Sequence, residues 1–388
     1  MTDPMTKLVT EHMPEPVTEP VTKLKNVPMP LPMNIHDTHL AAARALPKVL
    51  LHEHLDGGLR VPTLLALLQQ RGLAAPAPDA ASLAAWFDAN AHAGSLEKYL
   101  EGFALTVAAM ATPEAMRRVA LEAAQDAFEE GAVLAEFRIA PLLFEPHGVS
   151  GEAAVEALLQ GLADAPMPCG LIICGMRHEP PERTERAARL ALRFQGQGVV
   201  GYDLAGAEFG FPAALHSRAL GLVRDAGLGL TLHAGEADAA VRVLQAARLG
   251  AKRIGHGVRL VDALTDPEQA ALIDEARALN LHLEVCPTSN VHTGAAASIA
   301  THPITALWQA GVSLSYHTDN RLMSCITLDG EAAALLRHTP LRAADLLAMA
   351  RQAALHSFLP AAAKAAATAA IDRYVTGASA DTAPAASR

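Results

Sequence analysis

Val49-Leu50-Leu51-His52-Glu53-His54-Leu55-Asp56-Gly57-Gly58 sets two histidines two residues apart at the end of an apolar run. Residues i and i+2 of a β-strand point to one face. In a helix they diverge by about 200°, because each residue turns ~100°. A strand therefore brings His52 and His54 together, and the two glycines mark where it stops. Neutral imidazole is a common zinc ligand, so the stretch alone reads equally as a strand ending in part of a metal site or as two ordinary histidines at a strand end. By the same alternation Glu53 points the other way and is not expected to be a ligand.

Counting residues 48–54 as the first, eight short apolar runs follow one another at intervals; the others are 132–140, 170–177, 199–205, 229–233, 253–257, 281–286 and 312–317. They are nearly continuous rather than alternating, as parallel strands buried on both faces are. Helical patterns separate them. Asp266-Pro267-Glu268 offers an N-cap, a proline at the first helical position and an acid in the first turn. Residues 237–249 form a helical pattern stopped by Gly250, and residues 340–358 form another with Thr339 as cap. Repeated βα units around one core predict a (β/α)8 TIM barrel. Residues 61–118, broken at Pro76, Pro78, Gly94 and Pro113, read as a helical excursion after the first strand, with a lid role or a plain packing role both open.

The flanks differ in composition. Residues 1–44 carry prolines at a density that discourages helix and sheet, and residues 377–388 are rich in Ala, Ser and Asp. Both read as loosely packed or disordered tails around a domain spanning 45–376. The chain has 388 residues, 51% hydrophobic and 19% charged, with a net charge of −10. That is ample for a large core. The negative charge argues against nucleic acid or an anionic membrane as main partner and does not rule out a neutral small molecule. Four cysteines without CxxC spacing read as free thiols in a reducing cytoplasm. No run approaches a membrane span, and the N-terminus lacks the pattern of a signal peptide. The sequence leaves the oligomeric state open.

In such a barrel the active site lies at the C-terminal ends of the strands. Polar residues recur there: His52, His54 and Asp56 after the first run, Asp203 to Glu208 after the fourth, His233-Ala234-Gly235-Glu236 after the fifth, His256 after the sixth, Cys286 to Asn290 after the seventh, and His317-Thr318-Asp319-Asn320 after the eighth. Zinc takes about four ligands, and a catalytic site keeps a place for water. His52, His54 and His233 supply nitrogens and Asp319 a carboxylate. Such an ion lowers the pKa of a bound water from ~15.7 toward ~7. His256 is then a candidate base and Glu236 a candidate acid, which must carry a proton to donate it. Structural readings stand beside these: Glu236 at the N-terminus of the next helix, Asp56 as a cap. His317 is read as a non-ligand, and His178, His216, His282, His292 and His356 as surface or packing residues.

His52-Glu53-His54-Leu55-Asp56-Gly57, Asp203-Leu204-Ala205-Gly206, His233-Ala234-Gly235-Glu236, Arg253-Ile254-Gly255-His256-Gly257, Glu284-Val285-Cys286-Pro287-Thr288-Ser289-Asn290 and Thr318-Asp319-Asn320 occur in that order. This set, within about residues 47–358, resembles the adenosine deaminase family of metal-dependent barrel hydrolases, closest to its bacterial members. The resemblance implies one zinc ion held by His52, His54, His233 and Asp319. It implies His256 as the residue that activates or orients the attacking water, and Glu236 as the acid toward purine N1. It implies Gly206 N–H toward N3 and Asp56 toward a ribose hydroxyl. The implied reaction is adenosine to inosine and ammonia. One position departs: Asn320 stands where many members have a second aspartate facing N7. An amide both donates and accepts, so that departure bears on substrate choice.

Other readings keep the metal and change the rest: the same chemistry on adenine, a modified adenine or another aminopurine nucleoside; an amide or ester hydrolase; or a non-catalytic purine-binding barrel. A carboxylate at Asp56 disfavours a 5′-phosphate. The zinc deaminases that act on cytosine or on flipped bases carry Pro-Cys-x-x-Cys, which is absent here.

Overall fold

The computed structural model describes residues 38–92 and 96–381. Strands β1 (Lys48–Leu50), β2 (Ala132–Ile139), β3 (Cys169–Met176), β4 (Val199–Ala205), β5 (Gly229–Ala234), β6 (Arg253–His256), β7 (His282–Val285) and β8 (Ser313–Tyr316) form one eight-stranded sheet in sequence order. Every neighbouring pair is parallel. With helices between the strands, this is the (β/α)8 barrel that the sequence predicts. From β2 to β8 the strands end within one residue of the apolar runs. The first run is different: regular pairing stops at Leu50, and residues beyond it close the barrel in another way.

The excursion after β1 contains the helices Val61–Gln70, Ala80–Ala91 and Leu96–Met110 and leads into Pro113–Glu129. Breaks fall at Pro76 and Pro78 and at Pro113, as expected, while the break expected at Gly94 lies outside the described residues. Asp79 accepts from Ser82 N–H at 2.9 Å and Thr112 from Ala115 N–H at 3.2 Å, capping the helices that follow. Other helix starts differ from expectation. The helix expected at Asp266 begins at Ala271, because Asp266 instead closes a turn on Glu268 N–H at 2.9 Å. The one expected over 237–249 is Val241–Arg248. The one expected from Thr339 begins at Ala343, where Asp345 accepts from Arg342 N–H at 2.8 Å.

At the N-terminal flank a helix, Thr38–Ala45, buries Leu40 and Ala43, so residues 38–44 are ordered, against their assignment to the tail. Residues 377–381 continue the helix Ala361–Asp381 and likewise depart from the tail reading. The rest of both tails lies outside the described residues. No helix among the described residues is long and apolar enough to cross a membrane.

The barrel interior is polar. Buried Arg138 (β2) donates to Asp203 (β4) at 2.8 Å and to Glu284 (β7) at 2.6 Å. Buried Arg253 (β6) donates to Glu284 and to Glu136 (β2), each at 2.6 Å. Phe358 plugs the far end: a Cβ on Gly229 would meet its ring at 2.3 Å, and its backbone N–H donates to Glu136 at 2.6 Å. Buried charges of this kind are costly unless paired and fully hydrogen-bonded, and here the pairs form one chain from the plug upward.

Candidate active site

Beyond β1 and β8 the barrel closes through the site itself. His54 N–H donates to Asp319 O at 2.7 Å, and Asp319 N–H to His52 O at 3.0 Å. One step lower, Leu51 N–H donates to the ring Nδ1 of His317 at 3.1 Å. A side chain thus replaces a missing ladder acceptor, which gives His317 a structural role and agrees with its reading as a non-ligand. Glu53 does face away from the ion site, but it is buried rather than exposed: Arg321 and the Thr318 hydroxyl donate to it, the latter at 2.7 Å.

The seam faces His233 at the end of β5. His52 Nε2 lies 3.3 Å from Asp319 Oδ1, His54 Nε2 lies 3.5 Å from the same oxygen, and His54 Nε2 lies 3.4 Å from His233 Nε2. One ligand atom from each of these four residues falls within 4.8 Å of all the others. Carboxylates set the tautomers. His52 Nδ1–H donates to Glu284 at 2.9 Å and His233 Nδ1–H to Asp203 at 2.9 Å, so both rings turn an Nε2 lone pair inward. His52 Nε2 is buried without a hydrogen-bond partner. Burial pushes the His54 imidazole well below its ordinary pKa. Burial opposes ionisation of Asp319, yet His52, His256 and His54 hold its carboxyl well below the usual range. Three imidazoles and one carboxylate, with His52 Nε2 buried and unpartnered, fit a divalent first-row ion.

A second grouping, His52, His256, Cys286 and Asp319, is equally compact. Burial raises the Cys286 thiol well above its ordinary value, and its Sγ–H points at Glu284 O, 3.6 Å away. A protonated thiol is a poor ligand, so the first set is preferred.

Glu236 and His256 stand beside the ion site. Glu236 Oε2 lies 3.5 Å from His256 Nε2. Its Oε1 accepts from Asn290 Nδ2 at 3.0 Å and from Thr293 Oγ1 at 2.8 Å. Glu208 grips the backbone here, accepting from the N–H groups of Gly235, Glu236 and Ala237 at 2.6, 3.0 and 2.9 Å. His256 and Asp319 have φ of 62° and 59°, left-handed values uncommon outside glycine and concentrated at functional sites. Gly255 is required by packing: a Cβ there would lie 2.9 Å from His52 Cε1.

Asp56 and Asn320 lie at the same end, both nearly buried. Burial pushes the Asp56 carboxyl up to about 7, and it caps no helix. Asn320 packs onto Gly57, where an added Cβ would come within 2.1 Å of its Oδ1. Gly206 ends β4 at φ 91°, with His178 beside it.

The sequence profile of the family described as Adenosine deaminase matches residues 47–374. The chain belongs to the adenosine deaminase family. It is similar to the adenosine deaminase of Mycobacterium ulcerans, at 43% identity over 308 residues covering 75% of this chain and 84% of that protein. Among solved structures it resembles Arabidopsis ADAL complexed with IMP, with TM-score 0.74 and 25% identity over 86% of this chain and 98% of that one. It also shares its fold with a Burkholderia ambifaria amidohydrolase with bound Zn, with TM-score 0.75 and 24% identity over 90% of this chain and 97% of that one.

Within this deaminase-family barrel, all nine residues that the sequence singled out lie at the C-terminal rim of the strands. Six of them are joined by the contacts above: the four of the ion cluster, with Glu236 and His256 alongside. Sequence reasoning placed Asp203, Glu208, Ser289 and Asn290 at the strand ends and Glu284 within a motif but assigned them no role in holding these six, and it did not single out Arg138 or Thr293. Ser289 Oγ–H donates to Asp319 Oδ2 at 2.6 Å, leaving Oδ1 to the histidines. The available signal was charge inside apolar runs: Glu136 and Arg138, Asp203, Arg253 and Glu284 interrupt strands that otherwise read as core.

Proposed function

We propose that the chain hydrolyses adenosine to inosine and ammonia as a zinc enzyme. The observation that carries this is the convergence of His52, His54, His233 and Asp319 beside the Glu236–His256 pair at the barrel rim. His52, His54, His233 and Asp319 hold the ion, as the donor set and the zinc in the Burkholderia neighbour support. When bound, zinc acts as a Lewis acid that makes hydroxide available at neutral pH.

The remaining work falls to the side chains. Water oxygen bonds to C6 and gives up both of its protons: one replaces the proton that Glu236 donates to N1, the other passes to N6, and the C6–N6 bond breaks as NH3 leaves and the C6 carbonyl forms. Glu236 gives the proton to N1 from Oε2, since Oε1 is occupied by Asn290 and Thr293. His256, whose Nε2 lies 3.5 Å from that Oε2, orients the water. Gly206 N–H meets N3, Asn320 meets N7, and Asp56 takes a ribose hydroxyl. Asp203 and Glu284 keep two imidazoles turned inward throughout. Free thiols at Cys169, Cys174, Cys286 and Cys325 support a reducing, cytoplasmic setting.

The alternative is another 6-aminopurine, and the IMP on the Arabidopsis neighbour makes a nucleotide one arm of the test. Metal-quantified protein is assayed for ammonia with adenosine, adenine, AMP and an amide substrate. Adenosine is expected to lead, and removal of the metal to abolish turnover. Full activity in verified metal-free protein overturns the metal role, and preference for AMP overturns the role given to Asp56.

A further inference from the structure

Between the helices Pro287–His292 and Ile304–Gln309 the chain turns at Thr301-His302-Pro303. His302 is buried, and its ring bonds neither Glu236 nor His256. One side meets a donor that cannot be reversed: Ile304 backbone N–H donates to His302 Nδ1 at 3.0 Å. Burial pushes this imidazole down to about 3, so the ring is neutral and carries one proton. With Nδ1 accepting, that proton sits on Nε2.

His302 Nε2 lies 3.3 Å from the side-chain amide of Asn290. An N–H there requires the amide oxygen to face it, so Asn290 turns its NH2 group the other way. That group lies 3.0 Å from Glu236 Oε1 and 3.0 Å from His256 Nδ1. Its two hydrogens serve one acceptor each. Glu236 is thereby held through Oε1, and His256 keeps its proton on Nε2, the nitrogen that faces Glu236 Oε2. The Asn290 backbone is fixed at both ends, N–H to Cys286 O at 2.8 Å and C=O from Ala296 N–H at 2.9 Å. Only the end-for-end orientation of its amide is left to choose. The reversed amide would set an oxygen against the Glu236 carboxylate and a donor against His302 Nε2–H.

We propose that His302 is a positioning residue for the reaction: by holding Asn290 Oδ1 it fixes which end of that amide faces Glu236 and His256. The inference rests on the deaminase reading for its kinetic consequence, but its structural half stands apart from activity.

Neutron diffraction on deuterated, metal-loaded full-length protein reads the protons directly. Deuterium is expected on His302 Nε2 and His256 Nε2, with the Asn290 ND2 group toward Glu236. Deuterium on His302 Nδ1, or a reversed Asn290 amide, overturns the proposal. In kinetics, His302→Phe keeps a ring and removes the N–H, and His302→Gln restores a donor at reach. The Phe variant is expected to lose roughly 10- to 100-fold in kcat. Its KM should stay within about threefold, its kcat pH profile should be displaced, and the Gln variant should recover most of the loss. Equal loss in both variants with an unmoved pH profile means packing alone and overturns the proposal, as does wild-type kcat in the Phe variant. If no aminopurine releases ammonia, the functional reading fails, while the neutron result still decides the amide.

Discussion

Replacing Glu284 by Gln tests the site where the metal ligands and the barrel interior meet. Glu284 accepts from His52 Nδ1 at 2.9 Å, Arg138 at 2.6 Å, Arg253 at 2.6 Å and Thr231 Oγ1 at 2.9 Å. Glutamine keeps the shape and offers one acceptor oxygen. In either orientation its NH2 group faces a pair of donors, His52 with Arg138 or Arg253 with Thr231. Breaking a buried pair by removing one partner costs about 3–5 kcal/mol. Each arginine retains a second carboxylate, Asp203 or Glu136, which places the cost near ~3 kcal/mol, within the ~5–15 kcal/mol typical of a folded domain. The variant should therefore fold with a lowered melting temperature. His52 loses the carboxylate that fixes its tautomer, for which metal affinity falls roughly 10- to 100-fold. Competition with a chelator on folded protein measures that affinity, and denaturant melts measure stability. Metal affinity within twofold of the parent, in a variant that has lost stability, would refute the claim that Glu284 orients His52.

Glu236→Gln keeps the bonds to Oε1 and removes the transferable proton. It should lower kcat by roughly 10²–10⁴-fold with metal content near normal, and unchanged turnover removes Glu236 from the acid role. Gly57→Ala puts a methyl where Asn320 Oδ1 lies; displacing that amide should raise KM about tenfold, or ~1.4 kcal/mol, and an unchanged KM takes Asn320 out of the purine pocket. Glu331, outside the proposed ligand set though raised by burial and in part by the Asp319 charge, gives a pH test. Burial pushes its carboxyl from 4.5 to about 7, and its Oε2 is buried without a partner. A carboxyl raised in the fold binds its proton there first, so stability is greatest below about pH 4.5 and declines as pH rises to about 7. At ~1.4 kcal/mol per pH unit the loss approaches about 3 kcal/mol. Glu331→Gln should be more stable than the parent at pH 8 and equal to it at pH 4.5 in urea melts; a constant difference across that range is the contrary result.

The strands were legible because parallel strands buried on both faces leave long apolar runs, and β2 to β8 stop where those runs stop. The residues proposed to hold the ion stood out for a related reason. Polar side chains cluster where a barrel strand ends, so His52, His54, His233 and Asp319 stand out against their neighbours. Helix starts were less legible, since a turn and a cap use the same residues: Asp266 has the side chain of a cap and spends it on Glu268 N–H. The supporting shell was hidden for another reason. Glu284 lies in β7, Arg138 in β2 and Asp203 in β4, and nothing local to any one strand says that barrel closure brings them together. The same holds for Asn290, whose role follows from partners 34 and 54 residues away in sequence.

The interior charges make a separate argument for the ion. From the plug upward, Glu136, Arg253, Glu284, Arg138 and Asp203 alternate in sign, each bonded to the next. Asp203 and Glu284 hold His233 and His52, and those rings face Asp319. The connected group contains four carboxylates against two guanidiniums, an excess of two negative charges. An uncompensated buried charge is costly in a low-dielectric interior. The excess lies at the end where His52 Nε2 has no hydrogen-bond partner, and there, although burial and Arg138 oppose it, Asp319 and Glu284 raise the His52 pKa. The carboxylates that orient the ligands need arginines, those arginines need further carboxylates, and the ladder ends at Glu136, where the Ser357 hydroxyl and Phe358 N–H, both at 2.6 Å, complete the shell. On this reading the unusual polarity of the barrel interior follows from placing a metal at its mouth.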